Sequence, residues 1–294
     1  MTKVQEATKE LSTDICNFLS KENPNIRDGS DIERYYQKIF ESQWDSEMGH
    51  HGYVLIDGGQ VVGFLGAYFS RRNIAGELKR FCNLTTWKVD LNYRNESLKL
   101  LFPFMRLGTH TITVFSAGGN VYPIYLKLGF LSLETTLKII PAVPSSATMS
   151  RGVKCLFSKD EILRYLDADD TAILEDHWQF DCCHALFSSG RSYTYLVYTR
   201  SQKKGIPVIY IHHITNVDLF IKIIDRIKFE FLIRCKISVM VTESRFLGDR
   251  QMRFIKNYRL KVPRIFRSTQ LSPGKIDNLY SELVVSDLFR EGFY

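Results

Sequence analysis

The chain has 294 residues, of which 45% are hydrophobic and 24% are charged. This balance is typical of a soluble globular protein and argues against a disordered chain. The 39 basic and 32 acidic residues leave a net charge of +7. Such a charge mildly attracts polyanions, although an ordinary solvated basic face is the simpler explanation.

At ~150 residues per domain, the length predicts two domains. No apolar run approaches the ~20 residues needed to span a bilayer, and the first residues lack a signal-peptide core. We therefore expect no membrane span and a cytoplasmic location. The six cysteines form no Cys-x-x-Cys pair and no dense disulfide framework, which predicts reduced, structural thiols.

The first residues of the chain predict two helices and a hairpin. A short strand over 4–7 precedes apolar residues with helical spacing over 11–19, and a second helix begins at Asp31 and continues through Phe40. The runs 53–56 and 61–68 flank Asp57-Gly58-Gly59, which is a strong hairpin signal.

The next segment predicts a strand over 81–90, a polar loop over 92–97 and then a helix. The helix is indicated by apolar residues at helical spacing, namely Leu98, Leu101, Phe102 and Met105. A helix that begins near Glu96 turns its unpaired N–H groups and its positive dipole end toward the loop, where an anion such as a pyrophosphate could bind. Pro103 falls inside this helix and implies a kink or a later start.

A β-branched strand is predicted over 111–116, and a short helix ends at Lys127 with Gly129 as its C-terminal cap. A closing strand is predicted over 131–140. The turn-rich residues that follow suggest a linker, so we place a domain boundary between 141 and 152.

This order of elements resembles the core of the GNAT (GCN5-related N-acetyltransferase) superfamily, whose domains transfer an acyl group from acyl-coenzyme A, usually to an amine. Arg94 matches the Arg or Gln that opens the phosphate loop of the family, and Asn120 matches an Asn that commonly contacts the coenzyme arm. Tyr125 matches a Tyr that often protonates the leaving thiolate. Both loop glycines of the family pattern are replaced, by Ser97 and Lys99. The resemblance implies an α/β (α+β) fold with a mixed, mostly antiparallel sheet flanked by helices.

The same resemblance implies a site. Tyr125 is the expected catalytic acid, and a backbone N–H near 88–90 is expected to bind the thioester carbonyl. Acetyl-coenzyme A or another acyl-coenzyme A is the expected co-substrate, and no metal is expected. The residues expected to bind the coenzyme are Val89, Asp90, Leu91, Arg94, Asn95, Glu96, Ser97, Leu98, Lys99 and Asn120. An ordinary βαβα unit without a ligand is the alternative explanation of this segment.

No residue stands out as the general base. Glu77 and Asp90 lie on or near the central strand, and His50 and His51 precede the hairpin. A His near its ordinary pKa of ~6.5 accepts a proton readily. A solvated or capping role competes with catalysis for each of the four.

The second half repeats this order of elements without a phosphate-loop pattern. Helices are predicted over 158–166, 170–186 and 218–232, and strands over 193–198, 207–211 and 237–241. By topology alone, this half resembles a second, degenerate GNAT-like domain, as in the FemABX-related acyltransferases. The predicted domains are 1–142, which binds acyl-coenzyme A, and 150–294, which shapes the acceptor site.

Two groups of histidines in this half are candidates for a functional role. His177, Asp181 and His184 would share one face of the predicted 170–186 helix, but no matching pair occurs elsewhere, so a structural face is preferred to a metal site. His212 and His213 alternate across a strand, so only one of them can face a cleft.

We therefore expect an acyltransferase that moves an acetyl or other acyl group to an amine of a small acceptor, such as an amino sugar or an amino acid. Neither nucleic acid nor a membrane is expected as a partner, and the oligomeric state stays open. One alternative takes its donor from an acyl carrier protein. The other is a non-catalytic ligand-binding or scaffold protein, which Ser97, Lys99 and Pro103 favour.

Overall fold

The structure is a computed structural model, and it describes residues 1–21, 36–42, 44–143, 152–248, 250, 252 and 254–285. The predicted helix start at Asp31 and part of the predicted linker, 144–151, lie outside these residues. The chain divides into two compact units. The first comprises Met1–Leu131 and Arg264–Ser272, and the second comprises Ser132–Pro263 and Pro273–Tyr294.

The first unit is a mostly antiparallel sheet with helices. Its elements are β1 (Lys3–Glu6), α1 (Ser12–Lys21), α2 (helical residues 36–41), β2 (Gly52–Asp57), β3 (Gln60–Ile74), β4 (Glu77–Val89), α3 (Leu98–Met105), β5 (His110–Val114), α4 (Tyr122–Lys127) and the end of β12 (Lys256–Arg267). The strands follow the order β1-β2-β3-β4-β5-β12. Neighbours are antiparallel except β4 and β5, which are parallel.

The hairpin and α3 form as the sequence predicts. Gly58 and Gly59 have φ of 54° and 81° and make the two-residue turn between β2 and β3, where glycine adopts positive φ without steric cost. In α3, Leu101 and Phe104 are buried in the core of the first unit, whereas Phe102 is exposed. Pro103 lies inside this helix, where it lacks the N–H that would donate to the carbonyl of Lys99.

The second unit is also a mostly antiparallel sheet with helices. Its elements are β6 (Leu131–Pro141), β7 (Val153–Leu156), α5 (Lys159–Leu163), α6 (Ala168–His177), β8 (Cys183–Ser189), β9 (Ser192–Lys203), β10 (Ile206–Ile214), α7 (Val217–Lys222), α8 (Ile224–Cys235), β11 (Val239–Glu243), α9 (Ser244–Leu247) and α10 (Glu282–Val285). Its strands follow the order β6-β11-β10-β9-β8-β7. Only the β10–β11 pair among these is parallel.

One prediction for the second half needs correction. The predicted 170–186 helix is wrong in its second part, since α6 ends at His177 and residues 183–189 form β8, paired with β9. The compact units divide after Leu131, ahead of the boundary predicted between 141 and 152. The reason is that β6 pairs with β11 of the second unit.

The predicted fold class is confirmed, because mixed, mostly antiparallel strands flanked by helices make up both units. The same order of elements also recurs. Three antiparallel strands lead into helices and then into a strand parallel to the third, as β2-β3-β4-α3-β5 and as β8-β9-β10-α7-α8-β11. Within the described residues, every helix is too short or too polar to span a bilayer.

Candidate functional site

The parallel strands β4 and β5 part before β4 ends. Their last pair is Asn83 with Thr113, yet β4 continues for six residues to Val89. On its other side, β4 stays paired with β3 as far as Gly63 opposite Val89. Over 86–89, therefore, the edge of β4 that faces β5 pairs with no strand among the described residues.

A β-bulge lies on β4 just beyond the point of parting. Gly66 pairs with Thr85 and Phe64 pairs with Lys88, so Leu65 of β3 faces both Thr86 and Trp87. Thr86 has φ of 52°, which is unusual for a β-branched residue. Bulges of this kind redirect backbone groups and are common beside active sites.

Only one of the three predicted carbonyl-binding amides points to the open edge. The N–H of Asp90 donates to the carbonyl oxygen of Val62 at 2.9 Å, so it faces β3. Amides along a strand alternate in direction, which turns the N–H of Lys88 toward β3 and the N–H of Val89 away from it. Val89 therefore remains as the donor among residues 88–90.

The loop after β4 is helical and already capped. Residues Leu91–Glu96 form a 3₁₀ helix that leads directly into α3, and Asp90 is its N-cap. The Oδ1 atom of Asp90 accepts from the N–H of Asn92 at 2.8 Å, and its carbonyl accepts from Tyr93. Free backbone N–H groups were expected near Glu96, but the N–H of Ser97 is not free, because it donates to the carbonyl of Arg94. The helical segment thus starts at Leu91 and not near Glu96, and a carboxylate of the protein itself caps that start.

The side chains of the loop differ in their freedom to bind a ligand. The Nζ atom of Lys99 contacts Glu96 Oε2 at 2.9 Å and Thr2 Oγ1 at 3.2 Å. Hydrogen bonds from Thr2 and Lys99 lower the pKa of Glu96, which keeps this pair ionised. Arg94 is exposed, and no side-chain hydrogen bond or ion pair engages it within the described part of the chain.

The other predicted coenzyme-binding residues lie at the surface. Leu91 and Leu98 are 65% and 37% exposed. Asn95 and Asn120 are also exposed, and Asn120 lies two residues before α4. These positions are open to a ligand, but among the described residues no hydrogen bond or ion pair joins their side chains to one another.

Tyr125, the predicted acid, lies in the core of the first unit. Its side chain is 1% exposed, and its ring makes edge-to-face contacts with Trp87 at 5.5 Å and Phe130 at 4.9 Å between ring centroids. The structure thus brings Tyr125 beside the bulge on β4. Its ring also serves as an ordinary packing element of the core.

The predicted general bases do not gather at this place. Glu77 is at the opposite end of β4, where it pairs with Lys79, and Asp90 is the N-cap described above. Burial lowers the pKa of His51 to about 4 and also lowers the pKa of His50. Both histidines are therefore neutral and weak proton acceptors at neutral pH.

The histidines of the second unit serve structural networks. His177 ends α6 and His184 lies on β8, so the predicted shared helical face does not exist. The Nδ1 atom of His184 lies 2.7 Å from the hydroxyl of Tyr195. No group of three metal-ligating side chains occurs among the residues that the structure describes.

The alternation predicted for His212 and His213 is wrong, because His212 is the extra residue of a β-bulge between Ile211 and His213. His212 contacts Thr199 and His213 contacts the ring of Tyr195, and these two residues lie on the same face of β9. His212 is buried with its Nε2 atom 2.9 Å from Thr199 Oγ1. His213 Nδ1 lies 3.1 Å from Asp277 Oδ2, and its Nε2 lies 3.9 Å from Asp170 Oδ1. Burial raises the pKa of Asp170. Sequence reasoning missed this cluster because its members are far apart in the chain.

The arrangement of strands is similar to that of solved GCN5-related N-acetyltransferases. The structure is similar to one such protein from Anabaena variabilis, with a TM-score of 0.61 and 13% identity over 90% of this chain and 72% of that one. It is also similar to one from Kribbella flavida, with a TM-score of 0.60 and 11% identity over 91% and 71%. A third similar structure is a putative acetyltransferase from Pyrococcus horikoshii, with a TM-score of 0.54 and 12% identity over 94% of this chain and 96% of that one. These likenesses show the fold.

The likeness is confined to structure. No protein-family model matches the chain, and no curated protein has a matching sequence.

Proposed function

We propose that this protein is an acyltransferase that moves an acetyl or other acyl group from an acyl-coenzyme A to an amine of a small acceptor. The observation that supports this most is the parting of β4 from β5 beyond Asn83, together with the bulge at Thr86. It leaves an edge of β4 that pairs with no strand among the described residues. The structural neighbours from Anabaena and Kribbella are called N-acetyltransferases, which agrees with this proposal.

The donor arm would lie along the open edge of β4. The pantetheine arm of coenzyme A carries two amides, and an extended amide chain can add to a free strand edge as an extra strand. The N–H of Val89 would then donate to the arm or to the thioester carbonyl. Arg94 would contact a phosphate, since its side chain is exposed and uncommitted in the described part of the chain.

The acceptor amine must be neutral when it attacks the thioester carbonyl. The C–N bond forms as the C–S bond breaks, the amine loses a proton, and the leaving thiolate gains one. Tyr125 would donate that last proton, because it lies beside the bulge where the thioester is expected. No side chain is assigned as the base, and water would carry the amine proton away.

The acceptor would be a small amine, such as an amino sugar or an amino acid. The direct test supplies acetyl-coenzyme A with a panel of amines, including glucosamine and the common amino acids, and measures free thiol. Acceptor-dependent thiol release supports the proposal. Absence of release with every amine, in protein that does bind the donor, favours a non-catalytic ligand-binding role.

A carrier-protein donor is the second candidate, and the loop favours it. Its positive charge is partly engaged already, because Lys99 pairs with Glu96 and the N-terminal ammonium pairs with Asp57. Such a loop suits the single phosphate of a carrier arm better than the several phosphates of coenzyme A. Beside it, α3 exposes Leu98 and Phe102. Binding to an acidic carrier protein that weakens steeply with salt would support this candidate.

A further inference from the structure

The second unit contains the same strand geometry as the candidate site. Strands β10 and β11 are parallel, and their last pair is Ile211 with Thr242, although β10 continues to Ile214. A bulge follows at once, because Ile211 and His213 face the consecutive residues Tyr198 and Val197 of β9, which leaves His212 as the extra residue. The second unit therefore also has a gap, which is the space beside the part of β10 that extends beyond its last pair with β11.

This second gap is filled by the chain itself. The N–H of Asn278 donates to the carbonyl of His212 on β10 at 3.4 Å. Its side-chain Nδ2 donates to Glu243 Oε1, at the end of β11, at 2.5 Å. Arg245 Nη2 donates to the Asn278 oxygen at 2.7 Å. One residue thus bridges the two parted strands through its backbone and its side chain.

Contacts on either side of Asn278 hold it in place. Asp277 lies 3.1 Å from His213 Nδ1. The N–H of Tyr280 donates to Nε2 of His177 at 3.1 Å, and its hydroxyl donates to Asp176 at 2.8 Å. From Asn278 onward, every residue to Val285 is buried. The segment is an integral part of the second unit.

The described part of the first unit shows no such bridge. Among the described residues, no backbone hydrogen bond from another segment bridges β4 to β5 beyond Asn83 in the way that Asn278 bridges β10 to β11. The two gaps thus share the bulge and the early end of the parallel pair and differ in what fills them.

We propose that residues 276–280 act as a built-in ligand of the second unit: they occupy the gap between β10 and β11 and exclude an extended, amide-bearing ligand such as a pantetheine arm. The peptide supplies the backbone N–H that such an arm would supply. The second unit is consequently a latent binding site that opens when this segment detaches. The inference does not depend on catalysis by the first unit.

The test uses the full chain with Asn278→Ala, which removes both side-chain bonds across the gap. Lys275→Ala is the matched control, since Lys275 is exposed and adjacent to the segment. Hydrogen exchange of residues 276–282 should quicken about tenfold in Asn278→Ala and stay unchanged in the control. Titration with free pantetheine should then give one more site per chain in Asn278→Ala than in the wild type or the control.

Quickened exchange without an additional pantetheine site would overturn the proposal. If Asn278→Ala does not fold, the wild type provides the second measurement. A pantetheine titration should speed exchange of residues 276–280, because ligand and segment compete for one gap, and unchanged exchange throughout that titration contradicts the proposal. If the wild type binds no pantetheine and Asn278→Ala binds it at one site, the proposal for the second unit holds. That result would instead contradict the function proposed for the first unit.

Discussion

The carboxylate of Asp90 accepts a hydrogen bond from the backbone N–H of Asn92 at 2.8 Å and so caps the helical segment that follows β4. In the proposed function this segment lies beside the phosphates of the donor. The protein therefore holds a negative charge of its own next to the place assigned to a polyanion, and Arg94 is the exposed cation that offsets it.

The first prediction concerns this charge. Asp90→Asn keeps a side-chain oxygen that can cap Asn92 but removes the negative charge. Affinity for coenzyme A should rise roughly two- to fivefold, because an anion at a helix start loses a repulsive neighbour. Calorimetric titration measures this change. Glu77→Gln, at the far end of the same strand, should leave affinity unchanged, and equal gains in both variants would mean that only the net charge matters.

The second prediction separates catalysis from packing at Tyr125. Tyr125→Phe keeps the ring contacts with Trp87 and Phe130 but removes the hydroxyl. Turnover should fall roughly 10²-fold or more if the hydroxyl protonates the thiolate, while donor affinity stays nearly constant. Steady-state rates and a binding titration measure the two effects. Tyr122→Phe, on the same helix, is the control, and full turnover in Tyr125→Phe would remove Tyr125 as the acid.

The third prediction concerns the bulge. Thr86 adopts a φ of 52°, where a β-branched side chain is strained and glycine is not. Thr86→Gly should therefore raise the free energy of unfolding by about 1 kcal/mol. The neighbouring Thr85 is buried in the strand, so Thr85→Gly should lower the free energy of unfolding by about 1 kcal/mol or more. Urea unfolding compares the two, and equal losses would show that the bulge stores no strain.

The fourth prediction is a loss of stability in acid. Burial lowers the pKa values of His51 and His184 to about 4 in the folded chain, below the ordinary value near 6.5. The unfolded chain then binds more protons, so this part of the stability is present above pH ~6.5 and is lost as the pH falls toward 4. Between pH 7 and pH 5, the free energy of unfolding should fall by about 2 kcal/mol for each of these histidines.

Urea unfolding at the two pH values checks this, with His51→Gln as the informative variant. Between pH 7 and pH 5, its free energy of unfolding should fall by about 2 kcal/mol less than that of the wild type, since one buried titrating ring is gone. An identical pH dependence in both proteins would show that His51 does not titrate with a lowered pKa.

Local signals in the sequence predict much of the first unit. The Asp57-Gly58-Gly59 turn fixes the hairpin. The apolar spacing predicts the helix α3 but only part of its buried face, since Leu101 is buried whereas Leu98 and Phe102 are exposed. The cap at Asp90 also had a local signal, an acidic residue directly before a helical segment. A solvated or capping role was the alternative to a base at Asp90, and the structure shows the cap.

Other features depend on contacts that a single sequence does not display. Residues 183–189 form β8 because β9 pairs with them, although their first residues continue the apparent helix of 170–186. The parting of β4 and β5 depends on where their register ends. Asn278 reaches His212 from 66 positions away, and nothing near either residue indicates the contact.

The central claim is that the loop after β4 holds the phosphate end of an acyl donor through Arg94. The most direct measurement is calorimetric titration of the wild type, Arg94→Ala and Arg106→Ala with acetyl-coenzyme A at low and moderate salt. We expect saturable binding to the wild type and to Arg106→Ala, with affinity roughly tenfold or more weaker in Arg94→Ala. Equal affinity in all three proteins, or no binding to the wild type at either salt concentration, would contradict this claim.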